Sequence, residues 1–323
     1  MLTELTNEYG YPRLTGKIEA VASGNPIRRR STRRLVFDTK QNPESDLEEK
    51  ILLTSTLCVD KSRLPRSGME ISRIGLGLAH THLLSIADRR ALLQRALELG
   101  ITHFDTARLY ADGMSEVCLG EFVRGNRDKV SITTKFGLLP TPFIGSMGVA
   151  AQPLRKARSV LNKLGIRRYP RRSYTRETLR KSLHASLRAL RTDYIDIYCL
   201  HEPELDSSVS GDLFEELERI KAQGDIRWIG VSGAHIDNIV TSFGASIDVV
   251  QSAEASWTES RFVPDITHSL FSDFVRAGRD SREKRPVEQL LQQALSRRHE
   301  GSVIVQTRSV AHLKQIVAWA AGK

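Results

Sequence analysis

Cysteine is scarce. The 323-residue chain has three, Cys58, Cys118 and Cys199. Their spacing offers neither a disulfide framework nor zinc ligands, so no metal site is expected and a reducing, cytoplasmic setting is. Long apolar runs are missing too. None reaches the ~18 residues that would span a bilayer, so no membrane association is expected. Met1 to Gly10 carries Glu4 and Glu8 and lacks the basic start and apolar stretch of a secretory signal. A complete dinucleotide glycine fingerprint is also absent. Gly75-Leu76-Gly77 runs into Leu78-Ala79-His80 without the third glycine, which weakens the case for an open, doubly wound sheet. With 40% apolar and 27% charged residues, the composition is that of a soluble globular protein, large enough for one big domain and an appendage.

The net charge of +10 is unevenly placed. Between Gly137 and Tyr174 stand eight basic residues, Arg155, Lys156, Arg158, Lys163, Arg167, Arg168, Arg171 and Arg172, and no Asp or Glu. The rest of the chain is close to neutral, so a surface built for nucleic acid is not expected. The basic segment reads either as a solvated insertion or as a loop that receives an anion. A second basic cluster, Arg28 to Arg34, is offset by Asp38, Glu44, Asp46, Glu48 and Glu49. Residues 1–62 show poor periodicity and read as a poorly ordered extension, with a local strand at Ile51–Val59.

From Ile71 the pattern repeats as a short apolar run followed by an amphipathic stretch. Strands are expected at Ile71–Leu78, Ile101–Asp105, Lys129–Lys135, Tyr194–Leu200, Arg227–Val231, Ile247–Gln251, Ile266–Phe271 and Val303–Gln306. Helices are expected at Ala87–Leu99, Ser115–Arg124, from Thr175 onward, from Asp212 with Glu215 in a capping box, and at Ile236–Phe243, Glu283–Arg298 and Ser309–Ala320. Eight strands alternating with helices specify an α/β protein with a parallel sheet, and a (β/α)8 TIM barrel over residues 63–323. The barrel should carry the N-terminal extension, the long basic insertion after its third strand, and a sixth helix shortened between Gln251 and Ile266.

Such a barrel presents its chemistry at the C-terminal ends of its strands. Asp105, Lys135 and His201 stand at three consecutive strand ends, with Tyr110 five residues past the Asp. Asp105 and Lys135 alone could be a structural ion pair, Tyr110 a packed aromatic, and His201 a satisfied core histidine.

Taken together these segments resemble the aldo-keto reductase superfamily. The resemblance runs from Arg66-Ser67-Gly68-Met69-Glu70-Ile71-Ser72-Arg73-Ile74-Gly75-Leu76-Gly77 through Gly100-Ile101-Thr102-His103-Phe104-Asp105-Thr106-Ala107 to Tyr110, Lys135 and His201. It implies a catalytic tetrad of Asp105, Tyr110, Lys135 and His201, and reduction of an aldehyde or ketone, or the reverse. Carbonyl reduction needs a proton donor at oxygen, and a free phenol, with a pKa of about 10, is poorly matched to neutral pH. An adjacent ammonium would lower that pKa. Lys135 would supply it, Asp105 would hold Lys135, and His201 would orient the carbonyl. Hydride would come from a nicotinamide.

The resemblance also implies cofactor contacts from Ser232, Gln251, Ser269, Thr307, Arg308 and Ser309. Gly233 replaces the family's usual Asn, and His268 takes the place of the aromatic ring stacked on nicotinamide. Gln306 and His312 replace a usual Lys and Arg. Arg308 suits a 2′-phosphate, so NADPH is expected ahead of NADH. Trp257 either lines the substrate pocket or covers the shortened sixth unit. The expected partner is a small carbonyl compound, an anionic one if the basic segment admits it, and the expected state is a monomer or weak oligomer. An NADPH-binding regulatory barrel with little turnover is the alternative, and a lyase using Lys135 as a Schiff base is a further rival.

Overall fold

A computed structural model describes residues 57–141, 171–204, 209–257, 260–271 and 287–322. The expected extension therefore lies mostly outside the described residues, as does most of the basic insertion. Residues 57–62 are already joined to the folded body: Val59 is buried and its amide donates to Leu99 O at 2.8 Å. No strand forms at Leu57–Val59.

The chain enters through an antiparallel hairpin of β1 (Lys61–Arg63) and β2 (Glu70–Ser72). There follow β3 (Ile74–Gly77), α1 (Ile86–Glu98), β4 (His103–Asp105), α2 (Met114–Val123) and β5 (Ser131–Phe136). Next come α3 (Arg176–Leu190), β6 (Ile195–His201), α4 (Gly211–Gln223), β7 (Ile226–Ser232), α5 (Asp237–Phe243), β8 (Val249–Ala253) and β9 (Ile266–His268). The last elements are α6 (Val287–Ser296), β10 (Ser302–Val305) and α7 (Val310–Ala320). Strands β3 to β10 form a closed barrel of eight parallel strands, β10 pairing back onto β3. The expected α/β barrel is the fold observed.

Some boundaries differ from the sequence reading. Ile71–Leu78 is two strands rather than one. The chain passes from hairpin to barrel at Arg73, whose guanidinium donates to the carbonyls of Leu295, Glu300 and Gly301. Helix α4 begins one residue before Asp212, and Ser210 at its cap position makes no side-chain capping bond. Asp212 and Glu215 instead face Arg176, at 3.7 and 3.5 Å, so their charge draws them across to α3. The cap on α3 is as expected, with Thr175 accepting from the Thr178 amide.

Two apolar layers hold the barrel. Outside, strand residues such as Phe104, Ile132 and Ile229 pack under helix residues such as Leu92, Leu183 and Leu217. Inside, Ile197, Val249, Ile266 and Ile304 meet Leu64 and Ile71 of the hairpin. The hairpin thus plugs the mouth at the strand N-termini, leaving the other mouth for polar groups.

The sixth unit is a turn among the described residues between β8 and β9. Its place against the outer wall is filled by Arg298, which donates to Pro264 O and Thr267 Oγ1 at 3.1 and 2.8 Å. The Arg298 guanidinium also lies 5.9 Å from the Trp257 ring centre.

Helices α2 and α3 approach so closely that a Cβ on Gly120 would fall 2.2 Å from Ala189 O. The obstacle is backbone and cannot rotate away. Gly120→Ala is expected to destabilise the barrel by about 1–3 kcal/mol, read as a lower urea midpoint at unchanged slope.

Candidate active site

Alternation along parallel strands decides which side chains enter the open mouth. Asp105 pairs in register with Thr133, so Lys135, two residues on, shares its inward face one step higher. Lys135 pairs with Cys199, and His201 is again two residues on. His201 pairs with Ser232, and Ser232 with Gln251. Four adjacent strand ends therefore deliver Lys135, His201, Ser232 and Gln251 around the mouth.

The tetrad residues meet there. The Lys135 ammonium donates to both Asp105 carboxylate oxygens at 2.7 Å and to Thr106 O at 3.0 Å. Both side chains are buried, at 1% and 4% exposure. Lys135 Nζ lies 5.1 Å from the Tyr110 ring centre, and the Tyr110 and His201 rings meet edge to face at 5.8 Å. Burial disfavours the Lys135 ammonium, but Asp105 and Tyr110 outweigh it and hold the amine above its ordinary pKa. Burial likewise opposes the Asp105 carboxylate, and Lys135 outweighs it, so Asp105 stays ionised.

One group departs from the sequence expectation in a useful way. The Tyr110 phenol is held above its ordinary pKa, because desolvation exceeds the opposing pull of Lys135. The ammonium limits the rise rather than producing a fall, and the phenol keeps its proton at neutral pH. His201 is pushed down to about 3, by burial and then by Lys135, so its imidazole is neutral. Its Nδ1 is buried with no hydrogen-bond partner among the described residues.

Tyr174 escaped the sequence reading. Its hydroxyl donates to the carbonyls of His201 and Glu202 at 2.6 and 2.9 Å, fixing the end of β6. Its ring lies against Gly137, where a Cβ would fall 2.0 Å from a ring carbon. Leu138 and Arg172 form an isolated antiparallel bridge, so the ends of the basic insertion lie side by side. Arg172 also pairs with Glu204.

The expected cofactor residues fall into two groups. Gln251 is buried; its Nε2 donates to Asp105 Oδ2 at 2.9 Å, and its Oε1 has no partner among the described residues. An unfilled buried acceptor beside Ser232 fits an amide N–H, as a nicotinamide carboxamide would offer. His268 ends β9, pushed down by burial to about 4, and its Nδ1 lies 2.9 Å from the hydroxyl of Ser269, a residue with φ +61°. The other group surrounds the start of α7. Ser309 accepts from the His312 amide, and Thr307 Oγ1 accepts from the Ser309 amide at 3.1 Å, so both hydroxyls serve their own turn. Arg308 is exposed and acts on His80, whose pKa is lowered by burial and then by that guanidinium. The residues fit a dinucleotide with an anionic portion near α7. Among the described residues, no cluster of three or more acidic, His or Cys side chains could hold a metal.

The structure is thus an α/β barrel with an acid–amine pair, a phenol and an imidazole gathered at one mouth. Residues 73–260, more than half of the chain, match the Aldo/keto reductase family, and the chain belongs to that family. It is 30% identical over 192 residues to the uncharacterized oxidoreductase YqkF of Bacillus subtilis, covering 59% of this chain and 54% of that one. It is 30% identical over 180 residues to the aryl-alcohol dehydrogenase [NADP(+)] of Phanerodontia chrysosporium, covering 52% and 42%. The matches thus span about half the length of these curated relatives. An aldo-keto reductase from Klebsiella pneumoniae, solved in complex with NADPH, shares the fold with a TM-score of 0.59 at 21% identity, over 81% of this chain and 90% of that one. Among the described residues, no helix is long and apolar enough to cross a membrane.

Three desolvated imidazoles set a pH dependence. His103 and His268 are held near 4 and His201 near 3, against an ordinary 6.5. The unfolded chain takes protons below pH 6.5 that the folded chain refuses, so stability must fall as pH drops from 6.5 towards 4. Each histidine contributes up to about 1.4 kcal/mol per pH unit. Urea unfolding across that range is expected to show the loss, with a shallower slope in His268→Asn.

Proposed function

We propose that the chain is an NAD(P)H-dependent reductase of aldehydes or ketones, with Tyr110 as proton donor. The observation that carries the reading is the Lys135 ammonium, bonded to both Asp105 oxygens and 5.1 Å from the Tyr110 ring centre. A bound nicotinamide would supply hydride. Tyr110 passes its phenol proton to the carbonyl oxygen as negative charge develops there. Lys135 steadies the resulting phenolate, and Asp105 keeps Lys135 charged and fixed. His201, neutral, donates a hydrogen bond to the same oxygen and sets the angle at which the carbonyl lies. Ser232 and Gln251 would hold the carboxamide of a bound nicotinamide, Ser269 would contact the pyrophosphate, and Thr307, Arg308 and Ser309 would receive the adenosine phosphate at the start of α7.

Burial suits this division of labour. A phenol kept protonated at neutral pH is ready to donate, and the nearby ammonium acts once charge appears on it. The complete tetrad favours turnover over a regulatory barrel, and the protonated Lys135 disfavours a Schiff-base lyase, whose amine must be free to attack. NADPH is favoured over NADH through Arg308. The eight basic residues after β5 favour an anionic carbonyl compound.

Loss of reduced-cofactor absorbance with a panel of aromatic and aliphatic aldehydes tests the reading. Tyr110→Phe is expected to lower kcat by about a hundredfold or more with cofactor binding retained. Turnover that survives this substitution would contradict the proton-donor role. Arg308→Leu is expected to raise KM for NADPH while leaving KM for NADH near its starting value; equal changes for both would count against a 2′-phosphate contact.

A further inference from the structure

Glu116, in the first turn of α2, is a charge with no exposure at all. Its Oε1 accepts from Thr134 Oγ1 at 2.6 Å and Ser186 Oγ at 2.7 Å, and its Oε2 accepts from Arg108 at 2.7 Å. These partners are not scattered. Thr134 precedes Lys135 in β5, Arg108 stands two residues before Tyr110, and Ser186 belongs to α3. One carboxylate therefore joins the strand that carries the amine to the loop that carries the phenol. The Arg108 amide also donates to Lys135 O at 3.3 Å.

The loop beyond Tyr110 needs this support. Ala111 and Asp112 adopt left-handed backbone conformations, with φ 51° and 55°, and Gly113 follows at φ 91°. Non-glycine residues hold such angles only where their surroundings impose them. The Arg108 guanidinium fills the inner side of the turn, close enough that a Cβ on Gly113 would lie 2.7 Å from it. On the outer side, Asp112 Oδ1 accepts from the Thr141 amide at 2.9 Å. A second tie runs from Thr106 through the Ser115 hydroxyl to Leu78 O.

A buried ion pair of this kind adds little net stability against an apolar replacement, but it fixes geometry sharply. We propose that the Arg108–Glu116 pair is a positioning device that sets the Tyr110 phenol against Lys135 and His201. Neither residue touches the reacting atoms. The inference rests on the reductase reading of the site, and it predicts that disturbing the pair harms the reactions that most need proton donation.

Two substrates separate this from general damage. An unactivated aldehyde depends on proton donation to oxygen. An ortho-quinone spreads the incoming charge over two carbonyls and depends on it less. With NADPH as donor, Arg108→Met is expected to lower kcat for the aldehyde about tenfold or more beyond any loss for the quinone, with little change in KM. Glu116→Gln, which removes the negative charge that holds Arg108, is expected to give the same selective loss. Equal losses on both substrates, or no loss, overturn the proposal. Aldehyde turnover indifferent to Tyr110→Phe removes the proton-donor role of Tyr110 and this inference with it. Sensitivity to Tyr110→Phe with equal losses in Arg108→Met removes this inference alone.

Discussion

The site depends on a charged pair placed where water is nearly absent. Taking an ammonium and a carboxylate from water costs several kcal/mol each unless their geometry compensates. At Lys135 and Asp105 it does: two bonds of 2.7 Å to the carboxylate, a third to Thr106 O, and Gln251 on the outer oxygen. The same arrangement would leave the Lys135 ammonium free of a competing solvent shell, so its field reaches the Tyr110 phenol with little screening. The barrel serves this pair. Closure removes sheet edges, the hairpin plugs one mouth with apolar side chains, and strand alternation sends the polar ends to the other.

How much of this was legible in the sequence depended on the kind of interaction. The eight strands were visible because a strand buried on both faces is a continuous apolar run, and the helices because their stripes recur at helical spacing. Asp105, Lys135 and His201 could be placed together because each ends such a run, and parallel register brings run ends side by side. The break at Arg73 was not visible, since hairpin and barrel strand are both apolar and the corner is made by bonds to residues over two hundred positions away. The cap on α4 was misread because Asp212 and Glu215 answer to Arg176 on another helix. Tyr174 and Glu116 were missed for the same reason: their partners are distant in sequence, and nothing local marks them. The direction of the Tyr110 shift was also beyond sequence reading. It is a contest in which desolvation, with Asp105 and Glu202 on its side, outweighs the pull of Lys135.

Gln251 links the two halves of the site. Its amide nitrogen is committed to Asp105, and its oxygen has no partner among the described residues. A group that bonds to that oxygen polarises an amide already attached to the acid of the tetrad. Occupancy beside β8 and the charge balance around Lys135 are therefore coupled through one side chain, without any movement of the backbone.

The bridge between Leu138 and Arg172 has a consequence for how such a barrel diversifies. Where two points of a chain are clasped together, whatever is threaded between them is mechanically insulated from the strand on which Lys135 stands. A change of length or charge between the two points would then leave the amine, three residues before the clasp, in its place.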